Sequence, residues 1–186
     1  MQYFRKNVIC LRPSTSKTPE RQMGPAPALE GVVQRYGISF EQHTCNTKGE
    51  LEFHLNRLAA LGPYRILYLD FEGEPACLFL PDGSRVTLEQ LAGLMQQNAR
   101  TWIVHFGQGS VLDVSPTRLQ DFAAATHVAL IAGYKKGVDW LDASAMDSIL
   151  IGSLQEYRDM ASLWTRLTEN YRELIRRTGL QIVALS

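Results

Sequence analysis

Short apolar runs alternate with longer amphipathic stretches through most of the chain. Asn7–Leu11, Ile38–Thr44, Arg65–Phe71 (RILYLDF), Thr101–Phe106 (TWIVHF) and Val128–Ile131 (VALI) read as strands. Several are nearly continuous apolar runs, the pattern of strands covered on both faces. Between them apolar residues recur at helical spacing: Leu29, Val32, Val33 and Tyr36; Leu51, Leu55 and Leu58; Leu88, Leu91 and Leu94; Leu119 and Phe122. The punctuation agrees. Gly37 suits a helix end, Thr47 an N-cap, and Gly62-Pro63 a stop. Thr87 and Gln90 have capping-box spacing, and Ser115-Pro116 offers a cap followed by an N1 proline. Leu78–Val86 (LFLPDGSRV) predicts a hairpin turning at Asp82-Gly83. From Trp140 to Thr178 the pattern is helical, with a break near Met160. Gly179 then ends the helix before a last strand, Leu180–Leu185. Strands alternating with helices of this length predict a mostly parallel central sheet covered on both faces, an α/β three-layer sandwich.

The length of 186 residues suits a single domain over 1–186 with a sizeable core. Four prolines among Arg12–Pro27 make 12–27 a flexible loop in this reading. At 45% hydrophobic and 20% charged, the chain is globular in composition. Nineteen Lys+Arg balance nineteen Asp+Glu, so no global field favours nucleic acid or an anionic membrane. A net charge near zero favours self-association, which keeps a homo-oligomer among the expectations. Cys10, Cys45 and Cys77 are odd in number and form no CxxC pair, which indicates neither a disulfide framework nor a zinc site. The apolar run at the N-terminus is too short for a signal peptide, and no stretch approaches the roughly 20 apolar residues that span a bilayer. A cytoplasmic location and no cofactor are expected.

In an open parallel sheet, ligands bind beyond the carboxyl ends of the strands. Three segments fall there: Glu72-Gly73-Glu74-Pro75, Gly107-Gln108-Gly109-Ser110 and Gly133-Tyr134-Lys135-Lys136. Gly73, Glu74, Gly107, Gln108, Tyr134 and Lys135 are therefore candidate walls of a binding cleft. Their glycines either admit a bound chain closely or simply end strands.

The order of these segments resembles the caspase–hemoglobinase clan, in particular bacterial caspase-like and CHAT-type domains. In that family a strand ending in His-Gly is followed by a hairpin and a helix, and the next strand ends in a small residue and the nucleophilic cysteine. RILYLDFEGEP resembles the first strand, LFLPDGSRVTLEQLAGL the hairpin and helix, and TWIVHFGQGSVL the second strand. FAAATHVALIAGYKKGVDW resembles the helix, strand and loop that follow, so the resemblance covers roughly residues 62–154. It implies a caspase-like fold. On it, the histidine position reads Glu72 and the cysteine position reads Gly109. A cysteine peptidase needs a thiolate to attack the carbonyl and a partner to move protons, and glycine supplies no nucleophile. The resemblance thus implies a catalytically inactive pseudo-peptidase domain that binds a peptide or protein partner.

An active hydrolase with rearranged chemistry is the alternative. Ser110 adjoins the vacant position and His105 lies five residues earlier. An extended chain, at about 3.3 Å per residue, would put their backbones roughly 16 Å apart, too far for a direct proton relay. His105 is then either a packed strand residue or a catalytic substitute. Cys77 is either a small buried hydrophobe or a thiol facing the cleft. Asp70 and Glu72 share a strand face by alternation, and Asp113 could approach them to hold Mg²⁺. Equally, Arg85, Lys135 or Lys136 could pair with these acids. Tyr157, Leu163, Trp164, Leu167, Tyr171, Leu174 and Ile175 on the C-terminal helices are core, or in part a partner surface.

Overall fold

The computed structural model describes residues 3–14, 24–62, 64–95 and 99–184. The chain runs β1 (Asn7–Arg12), α1 (Ala26–Tyr36), β2 (Phe40–Thr44), α2 (Lys48–Asn56) and β3 (Tyr64–Leu69). Three short strands follow, β4 (Gly73–Glu74), β5 (Cys77–Phe79) and β6 (Arg85–Thr87), then α3 (Leu88–Met95) and β7 (Ile103–Phe106). The rest is α4 (Pro116–Thr126), β8 (Leu130–Tyr134), α5 (Trp140–Glu156), α6 (Met160–Thr178) and β9 (Leu180–Ala184). Six strands make one sheet in the order β2-β1-β3-β7-β8-β9, parallel except for β9, which is antiparallel to β8. The small sheet β4-β5-β6 is antiparallel and is inserted between β3 and α3.

Period-two alternation divides the strand residues between two cores. Ile9, Leu11, Leu67, Leu69, Val104, Phe106 and Ile131 pack with Leu51 and Leu55 of α2, Leu88 and Leu91 of α3, and Leu119 and Phe122 of α4. Val8, Cys10, Ile66, Tyr68, Leu130 and Ala132 face the other way, against Leu29 of α1, Met146, Leu150 and Leu154 of α5, and Leu163 and Leu167 of α6. The result is the three-layer α/β sandwich that the pattern predicts. Among the described residues, no helix is long and apolar enough to cross a membrane.

The helix signals carry local stability. Thr47 Oγ1 accepts from Glu50 N, and the Glu50 side chain accepts from Thr47 N. The same exchange joins Thr87 and Gln90. Thr47→Ala removes one half of the first box and is expected to cost about 1 kcal/mol, readable as a lower urea midpoint with unchanged slope.

Several boundaries differ from the sequence reading. Arg12 still belongs to β1 and Ala26 already opens α1, while residues 15–23 of the expected loop lie outside the described residues. β8 runs on through Gly133 and Tyr134, because β9 pairs with it to Tyr134↔Leu180 and extends the ladder. The break expected near Met160 lies between Glu156 and Met160, where Asp159 caps α6 by accepting from Ser162 N.

Candidate functional site at the carboxyl ends of the strands

β3 and β7 are adjacent and parallel, so the segments that follow them leave the same edge of the sheet side by side. Glu72-Gly73-Glu74 and Gly107–Ser110 therefore meet, and they meet backbone to backbone. Gly109 has φ +72°, in the left-handed region that side chains disfavour. A Cβ placed on it would lie 2.7 Å from Gly73 N and closer still to the Gly73 carbonyl oxygen. Ser110 N donates to Gly73 O at 3.4 Å, and Ala76 N donates to Val111 O at 3.0 Å. Phe79 N donates to Glu72 O at 2.8 Å. The insert is thereby stitched across the end of β7, and the position aligned with a nucleophile is an intersegment seam. Gly107 is also tightly packed: a Cβ there would collide with the edge of the Tyr68 ring, 2.5 Å from its Cζ.

The other sequence candidates are dispersed. Cys77 is buried in β5 with its Sγ toward Leu78 O at 3.5 Å, and burial pushes its thiol pKa up, away from the thiolate needed for attack. Ser110 is half-buried, and its described contact is through the backbone. Glu74 is exposed and ion-paired with Arg85, as one of the sequence alternatives has it. Lys135 is exposed, and Lys136 Nζ donates to Arg176 O at 3.2 Å. Tyr134, a cleft wall in the sequence reading, is instead buried with its hydroxyl directed under the sheet edge, because it sits in β8 on the face that α5 covers.

Asp70, the anomaly in its strand, is 4% exposed and lies just past β3. Gln108 Nε2 donates to its Oδ1, and Arg12 Nε lies 3.4 Å from its Oδ2. Asp113 is exposed, and among the described residues no group of three or more His, Cys, Asp or Glu could hold a metal ion. The metal alternative built on Asp70, Glu72 and Asp113 has no assembled site.

His105 does have a carboxylate partner, but below the strand ends. Cys10, Tyr68, His105 and Ala132 form one row across β1, β3, β7 and β8, on the face under α5. His105 Nε2 lies 2.6 Å from Asp147 Oδ1. Tyr134 donates to the same oxygen at 2.5 Å, and Tyr68 donates to Oδ2. With the carboxylate as acceptor, Nε2 carries the proton of that pair. Burial first, and then the Asp147 charge, push both phenol pKa values well above the ordinary one, so both tyrosines stay donors. His105 is wholly buried, and its ring partner is Asp147 rather than Ser110 or Cys77. Asp147 escaped the sequence reading. The available signal was its place among Ala143, Leu150 and Leu154, on the buried stripe of α5.

A small cavity of about 30 Å³ opens between these two polar clusters, lined by Tyr68, Asp70, Gln108, Trp140, Ser144 and Asp147 among others. It has room for a water or two, not for a peptide side chain. Trp140 at its rim is half-buried, and the neighbouring Leu141 is 66% exposed.

The family model described as "Family of unknown function (DUF6642)" matches residues 5–183. The chain belongs to this family. No curated protein matches it. Among solved structures, the crystal structure of caspase-1 from Spodoptera frugiperda is similar, with a TM-score of 0.55 and 15% identity. The match covers 99% of this chain and 88% of that one. Similarity of that extent at that identity shows a caspase-like fold in this DUF6642 member and nothing of its chemistry.

Proposed function

We propose that this domain is a catalytically inactive member of the caspase–hemoglobinase clan, close to CHAT-type domains, that acts in the cytoplasm by binding a peptide or protein partner. One observation carries the reading: the position aligned with the nucleophile is Gly109, and its backbone is pressed against Gly73. Neither a side chain at that position nor the space for one is available to attack a carbonyl. The substitutes weigh the same way, since Cys77 is buried with a raised thiol pKa and His105 is engaged with Asp147. Partner binding at this edge is supported by the exposed Leu141 beside Trp140, an apolar pair at the mouth of the strand-end loops.

The test combines labelling by a peptidyl electrophile with digestion of a broad peptide library. Neither adduct nor cleavage is expected. Reproducible cleavage that disappears in Cys77→Ala or Ser110→Ala overturns the reading.

A further inference from the structure

The opposite end of the sheet carries the larger cavity. It measures about 330 Å³ and lies at the amino-terminal ends of β1, β3, β7 and β8, under the α5–α6 junction. That volume is at the lower end of the range of small-molecule sites. Its inner wall is apolar: Ile103, Leu130, Leu154 and Leu163 line it, and all are buried.

Its mouth is cationic. Lys6, Arg65 and Arg158 line it, against one carboxylate among the described residues, that of Asp159. Asp159 is already committed, since it accepts from Ser162 N as the cap of α6. Lys6 and Arg158 both lie over the ring of Phe4, each 4.7 Å from its centroid. They repel one another there: burial and the charge of Arg158 lower the Lys6 pKa to about 8. The backbone is tense at the same place. Arg5 (φ 40°) adjoins both Phe4 and Lys6, and Thr101 (φ 68°), a β-branched residue, lines the cavity itself. Left-handed non-glycine residues of this kind persist where surrounding packing holds them, and they concentrate at ligand sites.

A mouth with three cationic side chains, whose one lining carboxylate is already engaged as a helix cap, over an apolar chamber is complementary to one class of molecule. We infer that this cavity binds a small amphipathic anion, a carboxylate bearing a hydrocarbon tail, with the tail against Ile103, Leu130, Leu154 and Leu163 and the carboxylate between Lys6 and Arg158. Lys6 also donates to the carbonyls of Leu154 and Tyr157 at the end of α5. It is therefore held in place before the ligand arrives, and a bidentate guanidinium contact falls to Arg158. The site is separate from the strand-end loops and stands whether or not those loops bind a partner.

Octanoate is the probe, titrated into the full chain while the methyl resonances of isoleucine and leucine are followed by NMR. Saturable shifts centred on Ile103, Leu130, Leu154 and Leu163 are expected. Arg158→Glu, an exposed position whose change leaves the core intact, is expected to weaken octanoate binding at least about tenfold. Octan-1-ol, which keeps the tail and lacks the charge, is expected to bind weaker than octanoate by a similar factor. The inference is overturned by the absence of saturable shifts up to about 5 mM, by shifts centred elsewhere, by unchanged affinity in Arg158→Glu, or by octanol binding as tightly as octanoate.

Discussion

Gly109→Cys, alone or combined with Glu72→His, gives a less stable protein and no peptidase. The substituted Cβ would meet the Gly73 nitrogen at 2.7 Å and the carbonyl oxygen closer still. Both are backbone atoms, so neither can swing aside as the end of a long side chain would. Gly73 has little room to retreat either, because the Cys77 carbonyl and a Val111 methyl group already fill the space where its own Cβ would stand. The φ of +72° adds the left-handed penalty of about 1–2 kcal/mol for a side chain. Overpacking contributes about 1–3 kcal/mol more. The sum, about 2–5 kcal/mol, corresponds to a fall in Tm of roughly 4–20 °C for a chain of this size. Thermal unfolding measures it, with Ser110→Ala as the neighbouring substitution that meets no such clash. A variant as stable as the parent, with a rapidly alkylated thiol at the substituted position and new cleavage of peptides, would show that the seam opens as a catalytic cleft.

Asp147→Ala is expected to lose about 3–5 kcal/mol, the range for removing one partner from a buried polar cluster. Three groups converge on that carboxylate: His105 Nε2, the Tyr68 hydroxyl and the Tyr134 hydroxyl. All four residues are buried at the contact between the sheet and α5. Taking away the acceptor strands the His105 and Tyr68 donors in an apolar layer, each costing about 1–3 kcal/mol when unsatisfied, while Tyr134 keeps the Ala143 carbonyl at 3.3 Å as a second acceptor. Asp142 on the same helix is the contrast. Its ion pair with Arg177, at 2.6 Å, is partly exposed, and Asp142→Ala is expected to cost under about 1 kcal/mol. Urea denaturation of the two variants side by side measures the difference. Equal losses would mean that the Asp147 cluster adds nothing beyond surface pairing.

The two substitutions bear on different links between sequence and function. Gly109 bears on the proposed lack of chemistry at the strand ends, while Asp147 engages residues of β3, β7 and β8 from the helix that forms one wall of that edge. Trp140, Leu141 and Ser144 lie one to two turns ahead of Asp147 on α5. Loosening the buried cluster would therefore displace the apolar pair proposed to meet a partner, without touching that pair directly.

Much of the fold is legible in the chain because its signals are local. The Thr47 and Thr87 capping boxes need only the three residues that follow, and the alternation in RILYL already separates Ile66 and Tyr68 from Leu67 and Leu69. The strand-end positions are legible too, through the order of strand, hairpin, helix and strand. Where sequence and structure part, the deciding term is non-local. Tyr134 has the glycine and lysine neighbours of a loop residue. It is a strand residue because β9, some 46 residues further on, completes the ladder beside it. Asp70 and Glu72 form a pair by alternation, but β3 ends at Leu69, and Asp70 instead engages Gln108 and Arg12.

That the position aligned with the nucleophile carries no side chain follows from the chain alone, because that position is Gly109. The layered α/β plan follows from it as well, since hydrophobic period and caps act within a turn or a strand. The seal of Gly109 against Gly73 is a product of packing, and so is the capture of His105 by Asp147, 42 positions away. Packing likewise gathers Lys6, Arg65 and Arg158 around one apolar chamber at the far end of the sheet. Those outcomes depend on which segments are brought together and how closely they pack. Side-chain volume and backbone approach between distant segments set them, and no window of neighbouring residues contains that information.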